Sequence, residues 1–235
     1  MVVSPVTRTE EVYDALRSDL LNAVIQPGQR LRMVELGHRF RVSQSVVREA
    51  LTRLAEQNLV VASPQRGFRV RDLSVEDITD LTETRVHVET AALRLAIERG
   101  DIHWETRVLA AHHVLERTPL VKRDGDTVDE YWAVQHRAFH QALVGGCRNA
   151  RLEAIANGLR DCAELYRRWD WVLADDHTRD IEGEHRRLKE LVLARHADAA
   201  IVLLTEHIET APRQLVSYAT EHGAATLHRP PTEAG

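Results

Sequence analysis

The stretch Met33–Arg71, MVELGHRFRVSQSVVREALTRLAEQNLVVASPQRGFRVR, decides how this chain reads. Val34, Leu36 and Phe40 are the apolar positions of a short helix. Val42 buries in a tight turn, and Ser43 is a good N-cap for a second helix. That helix places Val46, Val47, Ala50, Leu51, Leu54 and Ala55 at three-and-four spacing, one continuous apolar stripe. Its other face shows Gln44, Ser45, Arg48, Thr52 and Arg53. Short hydrogen-bonding tips near a helix N-terminus, with cations along the flank, suit insertion into a DNA major groove. Leu59-Val60-Val61 and Phe68-Arg69-Val70 then read as short strands around Ala62–Gly67. A hairpin tip holding Arg66 beside Gly67 is a small cationic wing, fit for a phosphate or minor-groove contact. A lone Arg48 or Arg53 would mark only a solvated helix face; turn, cap, stripe and basic wing in order mark a DNA-binding unit.

Working outward, a preceding helix is expected from about Thr9 to Ile25, with Val12, Leu16, Leu20 and Val24 as its stripe, stopped by Gln26-Pro27-Gly28. Ser74 with Asp77 three residues on resembles a capping box, so a new helix starts just past the wing. The expected division is a winged helix-turn-helix over 1–71, a helical domain over 72–222, and a disordered tail over 223–235. The helical domain reads as six helices, about Val75–Arg99, His103–Arg117, Thr127–Val144, Ala150–Val172, Asp175–Arg195 and Asp198–His222, with nothing alternating as a strand. The fold class is therefore mainly α. Charge follows the same division. Up to Arg71 there are 11 Arg or Lys against 7 Asp or Glu, and beyond it 20 against 29, within an overall net charge of −5. The basic part is the one that faces nucleic acid.

The string Val42-Ser43-Gln44-Ser45-Val46-Val47-Arg48-Glu49-Ala50-Leu51, followed by Leu54, Leu59-Val60 and Arg66-Gly67, resembles the GntR family of bacterial transcription regulators. The likeness covers most of residues 9–71. Gln44 stands where the family usually has Arg, and Val46 where it usually has Pro. In the simple pairing code Gln suits adenine and Arg suits guanine, so operator preference does not transfer. The resemblance implies a homodimer on a pseudo-palindromic, double-stranded operator.

No apolar run approaches a membrane span, and the N-terminus lacks the hydrophobic segment of a signal peptide. Cys147 and Cys162 are isolated, without metal-site spacing. A cytoplasmic protein with no membrane partner is expected.

Four histidines carry the second signal. His136 and His140 lie one turn apart on one helix face, near apolar Ala133 and Leu143. His185 shares a stripe with Ile181, Leu188 and Val192, and His207 one with Leu203, Leu204 and Ala211. Three helices thus aim imidazole at the core. Taken singly, each is more simply a satisfied core histidine. Together they suit a divalent transition metal such as Zn or Ni, which two ligands at i and i+4 can chelate. Arg85 with Glu89, His136 with His140, Glu184-His185, His207 and the Gly146–Asn149 step resemble the FCD ligand-binding domain of the FadR subgroup, through scattered positions over roughly 75–220.

The resemblance implies a metal at His136, His140, His185 and His207, and a small organic acid effector bound near Arg85 and Asn149. His136 occupies a position that usually holds Asp, so four neutral ligands would leave a formal +2 on the ion and strengthen anion capture. Binding should also be acid-sensitive around the ordinary imidazole pKa of about 6.5. Three alternatives stay open: His136 points aside, the metal is purely structural on a constitutive DNA binder, or Arg85 merely pairs with Glu89 at i+4. The aromatics Trp132, Tyr166, Trp169 and Trp171 could line the effector pocket, but an aromatic on a helix is more often core or interface, and they are kept out of the site. A metal-dependent hydrolase or lyase would need a general base. Glu184 is the only candidate, yet it points about 100° away from His185 on the helix. No catalytic residue is expected.

Overall fold

A computed structural model describes residues 7–21, 24–63, 67–72, 74–121, 128–173 and 179–222. Arg66 at the wing tip, the expected helix starts at Thr127 and Asp175, and the tail from Gly223 lie outside the described residues.

The DNA-binding unit starts with α1 (Arg8–Leu21), where Thr7 Oγ1 accepts the Glu10 N–H and acidic Glu10 and Glu11 complement the positive helix end. Val12, Leu16 and Leu20 are buried as the periodicity demands, but Val24 is not; it is 66% exposed. Past Leu21 the N–H groups of Val24 and Ile25 both turn onto the Asp19 carbonyl, so the helical spacing no longer applies and Ile25 takes the inward position. Gly28, at φ +73°, supports the following turn; a Cβ there would meet the Asp72 carboxylate at 2.5 Å. Strand β1 (Arg30–Leu31) is only two residues long, too short for any period to show. Helix α2 (Met33–Phe40) buries Leu36, with Phe40 packed against the same core one turn on. Val34, six residues from Phe40, falls on the other side and is exposed.

Helix α3 (Gln44–Glu56) buries Val47, Ala50, Leu51 and Leu54 completely. Ser43 sits at its N-cap, but its hydroxyl pairs with Ser45 Oγ at 2.8 Å and caps no backbone N–H. Strands β2 (Val60–Ser63) and β3 (Gly67–Val70) form the antiparallel wing, and β1 joins on the far side of β3, giving the order β1-β3-β2.

The helical part comprises α4 (Val75–Arg99), α5 (Ile102–Glu116), α6 (Glu130–Val144), α7 (Ala150–Leu173), α8 (Ile181–Leu193) and α9 (Ala197–Glu221). Ser74 Oγ accepts the Asp77 N–H and caps α4; Asp101, Asp129 and Asp180 cap α5, α6 and α8 in the same way. Helix α4 packs against α9, α7 and α6. The apolar core does not stop at the expected division near Asp72. Leu165, Tyr166 and Trp169 of α7, with Leu215 and Ala219 of α9, belong to the same cluster as Leu16, Leu51 and Val70.

Polar contacts follow that seam. The Tyr166 hydroxyl donates to Asp77, Asn58 Nδ2 lies 3.3 Å from Cys162 Sγ, and Glu130 joins Arg168 (2.7 Å) to Arg17 of α1 (3.8 Å).

Candidate metal centre and effector cavity

The four sequence-predicted histidines converge. His136 and His140 come from α6, His185 from α8 and His207 from α9, and each offers a ligand atom within 4.8 Å of the others. His136 does not point aside. Its ring stacks on Trp132 at 4.7 Å and stands 4.5 Å from His140 and 5.0 Å from His185, centre to centre. Phe139 closes the cluster from below, 5.5 Å from both His140 and His185.

The donor set fits a transition ion. Two nitrogens held by one ion at about 2.0–2.1 Å each stand no more than about 4.2 Å apart. His140 Nε2 and His185 Nε2 are already 3.4 Å apart, so closure of the set needs only small ring movements. His207 Nδ1 lies 2.7 Å from Glu184 Oε2, and Arg179 grips that carboxylate through Nε (2.7 Å) and Nη2 (2.6 Å). Burial alone would raise the Glu184 pKa, but hydrogen bonds from His207 and Arg179 outweigh it and pull it to about 2. An ionised carboxylate only accepts, so His207 Nδ1 carries the proton and its Nε2 lone pair is left for the cluster. Among the described residues His140 Nδ1 is buried without a hydrogen-bond partner.

Burial, then the neighbouring imidazoles and arginines, pushes the pKa values of His136, His140 and His185 well below the ordinary range; burial also lowers His207 against the pull of Glu184. Burial thus shifts the expected acid sensitivity below pH 6.5. In the folded protein the rings are already neutral there, because the core penalises a charged imidazole.

A cavity of about 430 Å³ opens beside the cluster. His136, His140 and His207 line it, and His185 lies behind them. Arg85, Arg160 and Arg179 bring guanidinium groups to its wall. Arg85 donates from Nε to Glu89 at 2.8 Å, and Arg160 Nη2 takes the other carboxylate oxygen at 2.6 Å. The i+4 pairing is therefore real, and it leaves the terminal nitrogens of Arg85 without another ion pair among the described residues. Glu89 is completely buried; desolvation would raise its pKa, but Arg160 and Arg85 hold it below the usual value.

Asn149 is corrected. It is exposed, does not line the cavity, and its Oδ1 accepts the Leu152 N–H at 3.2 Å, capping the start of α7. Its side-chain oxygen is engaged in starting α7. Sequence reasoning also missed residues. Trp132, Tyr166 and Trp171 are on the cavity wall, Trp132 and Tyr166 as members of the apolar core too, while Trp169 is fully buried. Arg160 and Arg179 gave no periodic signal beyond an arginine on a helix and one before a cap. The wall also includes Tyr13, Asp14 and Arg17 of α1 and Gln57 at the end of α3, so the cavity reaches the DNA-binding unit. Glu184, the candidate base, is held by Arg179 and His207.

On the outer face of α3, Gln44 and Arg48 are exposed and make no side-chain hydrogen bond among the described residues. Ser43 and Ser45 pair with each other, and Thr52 Oγ1 donates to the Arg48 carbonyl. Arg53 is half-buried, its guanidinium 4.1 Å above the Tyr13 ring. Gly67 opens β3 at φ +80° with free space around it, as a wing glycine should.

Residues 8–70 match the family described as bacterial regulatory proteins, gntR family, and residues 80–210 match the FCD domain. The chain is 36% identical to an HTH-type transcriptional regulator, BphR of Paraburkholderia xenovorans, over 86% of this chain and 82% of the relative. It is 34% identical to the HTH-type transcriptional repressor GlaR of Escherichia coli, over 84% and 91%. A GntR regulator structure from Rhodococcus sp. RHA1 superposes with a TM-score of 0.63 at 27% identity, covering 89% of this chain and 98% of that one.

Proposed function

We propose, given that this chain belongs to the GntR family of bacterial transcriptional regulators and carries its FCD domain, that it is a repressor released by a small carboxylate bound at a metal site. A chain of this type is a transcriptional regulator and not an enzyme. The observation that carries the effector reading is the four-histidine cluster opening on a cavity with guanidinium groups beside it.

His136, His140, His185 and His207 would hold Zn or Ni. That ion would supply positive charge and open coordination positions for an oxygen ligand. Arg85 would clamp the carboxylate from the wall, as a planar guanidinium does best. Glu184, itself fixed by Arg179, would orient His207. On the DNA side, Gln44 and Arg48 would read bases and phosphates. Ser43, Ser45, Arg53, Arg66 and Gly67 would flank them.

A ligand in the cavity borders Tyr13 and Gln57, and Tyr13 underlies Arg53 of the recognition helix. Differential binding to two placements of α1 would change operator affinity. A homodimer would present two recognition helices to a pseudo-palindromic site in the cytoplasm. Among the described residues no helix is long and apolar enough to cross a membrane.

The test starts from an operator selected out of a random duplex library. Metal content and operator affinity are then measured with and without carboxylates, on the native chain and on the His185→Ala, His207→Ala double variant. Loss of metal together with loss of the carboxylate response supports the switch. Loss of metal with an unchanged response would sink it in favour of a structural metal.

A further inference from the structure

The cavity beside the histidines is too large and too apolar for the smallest organic acids. At about 430 Å³ it falls within the range of roughly 300–1,000 Å³ typical of sizeable organic ligands. A three-carbon acid has the bulk of three or four waters, roughly 100 Å³ at about 30 Å³ per water. It would leave most of the space to water pressed against Ile78, Leu81, Leu120, Trp171, Ile181 and Ile208. Covering those groups with ligand carbon is favourable by about 25 cal/mol for each Å² removed from water.

Charge narrows the ligand further. Near the histidines, and among the described residues, Arg85, Arg160 and Arg179 form ion pairs with Glu89 and Glu184, a local excess of one cation before any metal is counted. The remaining guanidiniums of the wall are matched. Arg137 binds Asp161 at 2.5 Å, Arg167 shares Glu164 with the buried Arg168, and Arg17 shares Glu130 with Arg168, while Asp14 and Asp170 add two further acids to the wall. A second carboxylate would therefore meet paired cations with acids alongside, and would have to break an existing ion pair to be neutralised. One anionic head at the histidines with an uncharged body elsewhere is the complementary ligand.

We propose that the effector is a monocarboxylic acid with an apolar body of benzyl size or larger, whose carboxylate lies by the histidines and Arg85 and whose body fills the cavity along Leu81, Leu120 and Trp171. This rests on the carboxylate-sensing role of the histidine site given above. Body size then has a second consequence. Only a ligand filling the cavity touches both the histidines and Tyr13, Arg17 and Gln57, so bulk is what carries the signal to the DNA-binding unit.

The experiment is isothermal titration of the Zn-reconstituted full chain with acetate, lactate, succinate, phenylacetate and 3-phenylpropionate, alongside operator release by each acid. Phenylacetate and 3-phenylpropionate are expected to bind at least about tenfold more tightly than acetate, lactate or succinate, and to release the operator at correspondingly lower concentration. Leu81→Trp, which fills the wall, should erase that preference while keeping acetate binding. Should this variant fail to fold, the ranking of the five acids on the unmodified chain still decides the matter. Metal-dependent binding of lactate or succinate as tight as that of the aryl acids would overturn the apolar-body proposal and leave carboxylate sensing intact. Failure of every acid to bind the Zn-loaded protein would overturn carboxylate sensing itself.

Discussion

Replacing Glu184 by Gln tests the histidine site through a residue that is not one of its proposed ligands. Glu184 Oε2 accepts from His207 Nδ1 at 2.7 Å, and Arg179 holds both carboxylate oxygens. With its pKa pulled to about 2, the carboxylate is ionised throughout any practical assay and fixes the His207 tautomer. An amide can still accept one hydrogen bond, but it no longer neutralises Arg179, whose Nη2 stands 3.1 Å from His207 Nδ1. Arg179 is only 15% exposed, so its charge is poorly screened and opposes a cation on the far side of the same ring.

Loss of an outer partner of this kind typically costs 10- to 100-fold in metal affinity, about 1.4–2.7 kcal/mol, and the stranded guanidinium puts the expected loss near the upper end. Competition with a chromophoric chelator measures it, with thermal denaturation as the folding check and exposed Glu182→Gln as the control. Retention of Zn affinity within about threefold in Glu184→Gln, while His207→Ala loses it, would refute the orienting role derived from this geometry.

Three further outcomes are expected. In metal-free protein the buried histidines stay neutral where the unfolded chain takes up protons. Stability is therefore full above about pH 6.5 and falls below it, by up to about 1.4 kcal/mol per pH unit for each imidazole. Urea midpoints between pH 7.5 and 5.5 check this, and a flat profile would contradict it. Glu89→Gln strands Arg160, only 8% exposed, and should cost about 3–5 kcal/mol, lowering Tm by roughly 6–20 °C; a cost under about 1 kcal/mol would show that the pair is not desolvated. Tyr13→Leu removes the ring under Arg53, a contact of about 1–2 kcal/mol. Operator release by effector should therefore weaken by up to roughly 5–30-fold, and an unchanged response would place the coupling elsewhere.

Helix identity was legible because the relevant forces are local. The stripe of α3, the Ser74 cap and the α4 span Val75–Arg99 all follow from neighbours within a turn or two. The failures were also local in cause. Val24 was misplaced because the helix had already ended, β1 was too short to show a period, and Ser43 spent its hydroxyl on Ser45. Asn149, which the resemblance places near a ligand, has its side-chain oxygen taken by the Leu152 N–H.

The histidine set marks where local periodicity stops sufficing. Spacing alone turns each imidazole inward, since i and i+4 share a face whatever the helix packs against. Which inward residues meet depends on how α4, α6, α7, α8 and α9 cross, and no spacing records that. Packing brought Arg160 of α7 to Glu89 of α4, and Arg179 to Glu184 and His207. It also extended the cavity from the histidines to Tyr13 and Gln57, and it joined α7 and α9 to the DNA-binding unit through one shared apolar cluster. A helix's face is written in its own residues, but its partners are settled only when burial of many faces is satisfied at once.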